Sequence, residues 1–161
     1  MQTRSRCMVQ TRDKRKGFSL IELLIVVAII LIIAAIAIPN LLRSKMAANE
    51  ASAVGSLHAI NTASVAYNGT YGQYPTNLSN LGTNGVVSSS AADLIDSVLG
   101  SGARGGYIFT YTANSPNTGY TITAAPATVN VTGQSYFYTD QTFVIRRNIG
   151  GVANSSNSPI G

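Results

Sequence analysis

Hydrophobic side chains fill one continuous stretch near the start of the chain. Residues 18–38 contain one charged residue, Glu22, and residues 23–38 contain no polar side chain. As a helix, residues 18–38 would be about 32 Å long at about 1.5 Å per residue, which matches a hydrocarbon core of about 30 Å. The pattern predicts a helix that is apolar on every side and suits either lipid or a bundle of similar helices.

A second pattern begins after Pro39. Proline lacks an amide donor and clashes with the preceding turn, so we expect a kink at this residue. Apolar or small side chains then recur every three, four or seven positions, which predicts an amphipathic half of the helix over residues 40–67. Asn68-Gly69 should end it near Tyr67. The recurring positions are Leu42, Met46, Ala53, Leu57, Ile60, Ser64 and Tyr67, and the other face carries Arg43, Lys45, Asn49 and Ser56.

The rest of the chain predicts a small head of short elements over residues 68–148. Ser89 or Ser90 should cap a short helix over residues 91–99. Three or four antiparallel strands should cover the amphipathic helix, which makes the fold class α+β. The tail, residues 149–161, is rich in Gly, Ser and Asn and is predicted to be flexible. The predicted strands are residues 107–112, 120–124, 136–139 and 143–146.

Charge is concentrated before the apolar stretch. The formal net charge is +5, and residues 1–17 carry all of the excess, because residues 18–161 balance five basic against five acidic side chains. A neutral body offers no clustered basic face, so we expect no nucleic acid to bind through a basic patch. The basic end should stay in the cytoplasm and the part beyond the apolar stretch should be exported. The single cysteine, Cys7, excludes an intrachain disulfide.

Three interpretations of the apolar stretch compete. It could be a secretory signal cut after Ala35-Ile36-Ala37, a permanent single-span anchor, or a retained helix whose leader is cut between Gly17 and Phe18. Secretory signals have shorter apolar regions, of about 7–15 residues. A carboxylate in the membrane costs on the order of 2.5–3.5 kcal/mol, and neither a disposable signal nor a plain anchor needs one. A Glu22 that merely reaches water at the interface is the simpler alternative.

Cleavage after Gly17 would give Glu22 a partner. Phe18 would become the N-terminus, and its α-amino group would lie in the same membrane layer as the carboxylate. The amine could pair with Glu22 of its own helix, four residues on, or with Glu22 of a neighbouring chain. A pair between chains would fix their axial offset, which is the best-attested use of buried charged groups.

The segment Gly17-Phe18-Ser19-Leu20-Ile21-Glu22 resembles the class III signal of type IV pilins and type II secretion pseudopilins. The basic leader ending in Lys16-Gly17 and the proline at position 39 fit the same pattern. A Tyr-x-x-Tyr-Pro-x-x-Leu-x-x-Leu run over residues 71–81 resembles the major pseudopilins and related short pilins.

The resemblance implies a pilin-like fold and a series of processing and assembly steps. A prepilin peptidase would cut between Gly17 and Phe18 and N-methylate Phe18. Glu22 would neutralise the N-terminus of a neighbour, and the apolar helices would leave the bilayer to form the core of a filament. The chain would then divide into a cleaved leader (1–17), an apolar helix (18–39), an amphipathic half (40–67), a head (68–148) and a tail (149–161).

The expected function is that of a structural subunit in a type IV pilus-like filament. The precursor would be a single-pass inner-membrane protein, and the mature protein would lie in an extracellular or periplasm-spanning helical filament of identical copies. The alternatives are a major pseudopilin of a type II secretion system and a secreted or membrane-anchored binding domain. A long chain without a clear calcium loop favours the pilus.

Other candidate chemistry is sparse. His58 is the only histidine and is interpreted as a helical surface residue, and Asp93 and Asp96 as solvated charges rather than a calcium site. The sequence has no Gly-rich phosphate loop, Cys/His cluster or nucleophile motif. We therefore expect no enzyme, no cofactor and no metal site.

Overall fold

The computed structural model describes residues 17–83 and 85–160. The predicted leader lies outside the described residues, apart from Gly17. Three helical segments are present in the described chain: α1 (Leu20–Tyr71), a 3-10 helix (Leu78–Leu81) and α2 (Ser97–Gly100). The strands are β1 (Ala103–Arg104), β2 (Tyr107–Ala113), β3 (Tyr120–Pro126), β4 (Ser135–Asp140) and β5 (Arg146–Ile149).

Helix α1 has 52 residues and continues through Pro39. Its residues fall into two compact units that divide after Pro39. In the first unit the large apolar side chains are uncovered, with exposed fractions from 46% at Val26 to 80% at Leu20. The helix is long and apolar enough to cross a membrane. This surface needs a covering that the unit itself does not supply.

The second unit contains one antiparallel sheet, ordered β1-β2-β3-β4-β5. β2 and β3 pair along their full length, from Tyr107 opposite Pro126 to Ala113 opposite Tyr120. Burial alternates residue by residue along β2, β3 and β4, which shows that one face is covered. The α+β prediction is confirmed, although the sheet has five strands rather than three or four because β1 adds a two-residue edge.

The covered face of the sheet packs on the second half of α1. Leu57, Ile60 and Tyr67 are buried there, as the periodicity predicts. The prediction is wrong for Leu42, which is half exposed, and for Ser56, which is buried at 5% exposure. The helix therefore meets the head through a face that starts later and is richer in small polar residues than the apolar pattern suggests.

A buried asparagine joins the helix to two strands. Asn61 is fully buried, and its Nδ2 donates to the Thr139 Oγ1 at 3.0 Å. The Tyr120 hydroxyl donates to Asn61 Oδ1, also at 3.0 Å, and the Tyr120 ring stacks on Tyr111 at 5.2 Å between centroids. These buried polar groups satisfy one another, so they select one alignment of helix and sheet.

The helix ends at Tyr71 rather than near Tyr67. Gly72 has φ of +75° and its amide donates to the Asn68 carbonyl at 2.8 Å, which are the features of a left-handed C-cap. Tyr71 also packs on Tyr67, with 4.6 Å between ring centroids. Gly72 therefore acts as the stop, and the Asn68-Gly69 pair stays helical.

The predicted helix over residues 91–99 is wrong. Only Ser97–Gly100 is helical, and Asp96 is its cap rather than Ser89 or Ser90. The Ala92 amide donates to the Asn80 carbonyl, and the Leu94 amide donates to the Leu81 carbonyl, both at 2.8 Å. Since these amides bond to a distant segment, they cannot form the turns of a local helix.

The fourth predicted strand begins too early. Phe143 lies in a turn with φ of +66°, and its amide donates to the Asp140 carbonyl at 3.0 Å. The strand that follows is Arg146–Ile149. Asp140 closes this turn with its side chain as well, because Oδ1 accepts from the Thr142 amide at 2.9 Å.

The tail is folded back on β5, and its flexibility stays a prediction. The Arg147 amide donates to the Ser158 carbonyl at 3.0 Å, and the Ile160 amide donates to the Ile145 carbonyl at 2.8 Å. Ala153 is 2% exposed. The returning tail covers the outer edge of β5 with backbone hydrogen bonds, which a composition-based argument does not detect.

Replacing Asn61 with alanine should destabilise the head by about 2–4 kcal/mol, because the change leaves the buried Tyr120 and Thr139 hydroxyls without a partner and opens a cavity. Denaturant unfolding of the detergent-solubilised full chain would measure the loss. Thr62→Ala is the matched control, since Thr62 is on the exposed face and its hydroxyl bonds only the His58 carbonyl. A change for Asn61→Ala as small as that for the control would contradict the role of the buried cluster.

Candidate functional site

The Gly17–Phe18 peptide bond lies outside helix α1. Gly17, Phe18 and Ser19 have no regular secondary structure and are exposed, with Phe18 at 76%. The first helical hydrogen bond runs from the Leu23 amide to the Ser19 carbonyl at 3.2 Å. The backbone at the predicted cleavage point is therefore accessible, as sites of proteolysis are.

Glu22 bonds back to the start of its own helix. Its Oε2 accepts from the Ser19 amide at 2.8 Å. Ser19 is the residue before the helix and Glu22 is the third residue in it, so this bond is one half of a capping box. The carboxylate also lies at the positive end of the helix dipole, which favours its charge. The Ser-x-x-Glu spacing was readable in the sequence, and the sequence analysis missed it.

The surroundings of Glu22 are apolar and uncovered. Leu20, Leu23, Leu24 and Val27 line a shallow groove on the helix surface. Each of the leucines has an exposed fraction of 58% or more. A single carboxylate in an apolar surface next to an accessible peptide bond is suited to pairing and packing rather than to catalysis.

Four residue roles stay predictions: cleavage after Gly17, methylation of Phe18, pairing of Glu22 with an N-terminus, and a kink at Pro39. The described residues place Gly17, Phe18 and Glu22 within one short segment. Pro39 lies inside α1 at the border of the two compact units.

The other candidate residues are dispersed. His58 is exposed on α1 beside Ala59 and Thr62. Asp96 is engaged by its own chain, since one oxygen accepts from the Leu99 amide at 3.0 Å and the other from Arg104 at 2.7 Å. Within residues 17–83 and 85–160, no group of three or more His, Cys, Asp or Glu side chains is placed to hold a metal ion.

A second glutamate on α1 was not singled out by the sequence analysis. Glu50 Oε1 accepts from the Gln134 and Ser135 amides at 2.9 and 3.1 Å, and Oε2 accepts from the Ser135 hydroxyl at 2.9 Å. The neighbouring Asn49 donates to the Thr132 carbonyl at 2.8 Å. The two side chains fasten the start of β4 to the helix, over a sequence distance that no local pattern reveals.

The Glu50 carboxylate has a lowered pKa. Partial burial alone would raise the pKa, but the hydrogen bonds from Gln134 and Ser135, together with the nearby Arg147 charge, outweigh it and hold the pKa below the ordinary 4.5. The ionised form is thus the one that binds the strand.

Comparison with known proteins adds a sequence motif to this geometry. A family model described as the prokaryotic N-terminal methylation motif matches residues 12–38, which include the predicted cleavage point, Glu22 and most of the exposed apolar helix. The chain therefore carries this motif at the start of helix α1. No solved structure matches this chain significantly.

Three curated proteins are similar to this chain over partial lengths. It is 34% identical to type II secretion system core protein G of Escherichia coli over 68 residues, which cover 42% of this chain and 47% of the relative. It is 66% identical over 35 residues to the type IV wide pilus major component PilA4 of Thermus thermophilus, covering 22% and 27%. It is 50% identical over 50 residues to the type IV major pilin protein PilA of Myxococcus xanthus, covering 31% and 23%. The chain thus spans about half or less of these relatives.

Replacing Glu50 with glutamine should lower the free energy of unfolding at pH 7 by about 1–2 kcal/mol, because hydrogen bonds to a charged acceptor become bonds to a neutral one. A carboxyl group with a lowered folded-state pKa stabilises above its unfolded pKa, near 4.5, and this contribution is lost as the pH falls through the folded-state value. The difference between wild type and Glu50→Gln should therefore shrink below about pH 4.5. Denaturant unfolding across pH 3–7 tests this, and a pH-independent difference would contradict it.

Proposed function

We propose that the chain is a structural subunit of a type IV pilus-like filament. It enters the inner membrane as a single-pass precursor, loses its leader to a prepilin peptidase between Gly17 and Phe18, and is N-methylated at Phe18. The mature protein then assembles through helix α1 with other copies of itself. The final location is a filament that is extracellular or spans the periplasm.

The observation that carries this proposal is the uncovered apolar surface of α1. Among described residues between Phe18 and Ile38, the large apolar side chains are 46–80% exposed. Burying such surface is worth roughly 25 cal/mol per Å², so it favours a lipid environment first and a bundle of like helices afterwards. The same surface therefore suits both the membrane stage and the filament stage.

Glu22 has a role that fits the second stage. In the filament an amine at Phe18 of one copy pairs with Glu22 of a neighbour and selects one axial offset between the helices. The relatives that are named as pilins or as a secretion system core protein support a filament subunit, and the matched methylation motif, residues 12–38, includes Phe18 and Glu22.

The second candidate function is that of a major pseudopilin of a type II secretion system. It is favoured by the longest of the three matches, 68 residues of the secretion system core protein G. Both candidates require the same processing and the same helix. They differ in whether the filament extends outside the cell or only spans the periplasm. Two measurements therefore distinguish them: recovery of filaments sheared from the cell surface, and protein secretion by a strain in which the gene is deleted.

Material sheared from the cell surface should contain the chain beginning at Phe18, with the mass of one added methyl group. Intact mass measurement and N-terminal sequencing test both points. A chain beginning at Ile38 would indicate ordinary secretion of a soluble domain and would overturn the filament proposal. Recovery from the periplasm only, together with loss of protein secretion on deletion, would replace the pilus with the pseudopilus.

Replacing Glu22 with glutamine should allow insertion and export but reduce sheared filaments more than tenfold, because removing one member of a buried ion pair costs about 3–5 kcal/mol. Glutamine keeps an acceptor for the Ser19 amide, so this variant separates charge pairing from capping. Glu22→Ala removes both and should also fail to assemble. Asp93→Asn is the control, since it removes an exposed carboxylate from the head. Normal filaments from Glu22→Gln would contradict the proposed pairing of Glu22 with the N-terminus of a neighbouring copy.

A further inference from the structure

Two charged residues bracket the uncharged part of α1. Between Glu22 and Arg43, residues 23–42 carry no charge. Such a segment has the length of about 20 residues that a helix needs to cross a bilayer. Leu41 and Leu42, beyond Pro39, are still 68% and 50% exposed, so the uncovered apolar surface continues to the first cation. The membrane boundary on the exported side is therefore set by Arg43 rather than by Pro39.

The cations at this boundary have no acidic partner in the described part of the chain. Arg43 and Lys45 are exposed, and the one ion pair among the described residues joins Arg104 to Asp96. Arg43 borders an open cleft of about 390 Å³ together with Met46, Ala47, Glu50 and Gln134.

Glu50 borders the same cleft but forms no ion pair with Arg43. Its oxygens already accept three hydrogen bonds from the start of β4. Among the described residues Arg43 is exposed and pairs with no carboxylate, so its charge can be met from outside the chain. Long basic side chains at the end of a membrane helix keep their apolar stems on the helix and place their charges among the lipid head groups.

We propose that Arg43 and Lys45 bind the phosphates of membrane lipids on the exported face and thereby set the depth of the precursor helix. The proposal rests on the membrane stage of the proposed function and adds the partner of these two residues at that stage. Moving the subunit into a filament then requires these phosphate contacts to be released.

The residues after Lys45 indicate how far the helix could move into the bilayer if the two positive charges were absent. Met46, Ala47 and Ala48 are uncharged, and the next strongly polar side chains are Asn49 and Glu50, which are held by the head. Without the two charges, the helix can sink by about one turn, or roughly 5 Å, before a polar group stops it.

The experiment measures the depth of a nitroxide label on the full chain in vesicles of phosphatidylethanolamine and phosphatidylglycerol. The label is attached at Ser44→Cys in a Cys7→Ser background. The test variant is Arg43→Gln/Lys45→Gln. The matched control, Arg104→Gln/Arg147→Gln, has the same change in net charge but alters exposed residues of the head.

The label should move toward the bilayer centre by about one helical turn in the test variant and stay in place in the control. In phosphate-free galactolipid vesicles, the wild type and the test variant should lie at the same depth. An unchanged depth in phospholipid, an equal shift in the control, or an equal shift in galactolipid would each overturn the phosphate contact. A wild-type chain that does not insert would overturn both this proposal and the proposed membrane stage, whereas loss of filaments alone leaves the depth measurement unaffected.

Discussion

The apolar surface at the start of helix α1 needs a covering from outside its own unit. Its large side chains are about half to four-fifths exposed, and the hydrophobic effect disfavours leaving a continuous surface of that kind in water. The same all-round apolarity that suits lipid also suits a bundle of like helices. This dual compatibility is what allows one helix to serve as an anchor and then as a filament core in the proposed cycle.

The second half of the same helix meets a different constraint. There the head covers one face of the helix. Burial of apolar side chains is not enough at this face, because the helix and the head must also meet in a single alignment. Asn61 does so in the core, through Tyr120 and Thr139, and Glu50 does so at the margin, through the start of β4. Hydrogen bonds of this kind have strict geometry, whereas apolar packing alone tolerates more than one alignment. The head is therefore fastened to its helix independently of what covers the apolar half.

Strong periodic patterns made the long helix and the antiparallel sheet predictable, and the segment from Gly17 to Glu22 made the match to the N-terminal methylation motif predictable. The failures have a common cause in backbone hydrogen bonds to distant segments. Residues 92–95 bond to the region of the 3-10 helix, and the tail bonds to β5, so their conformations do not follow from local composition. Glu50 was missed for the same reason, because its partners are 84 and 85 residues away. The Ser19-x-x-Glu22 box is different, since its spacing was visible and only its meaning was overlooked.

The capping bond of Glu22 is compatible with its proposed pairing. A carboxylate has two oxygens, and the Ser19 amide occupies only Oε2. Among the described residues, Oε1 accepts no hydrogen bond, so it is available to a cation such as a neighbouring α-amino group. The bond to Ser19 also holds the side chain at the end of the helix, which reduces the rotamer freedom that a new ion pair would otherwise have to remove. Removal of the leader leaves the Ser19 amide in place, so the cap survives the cleavage that creates the amine. One residue can therefore define where the helix begins and, in the proposed filament, where the next helix must lie.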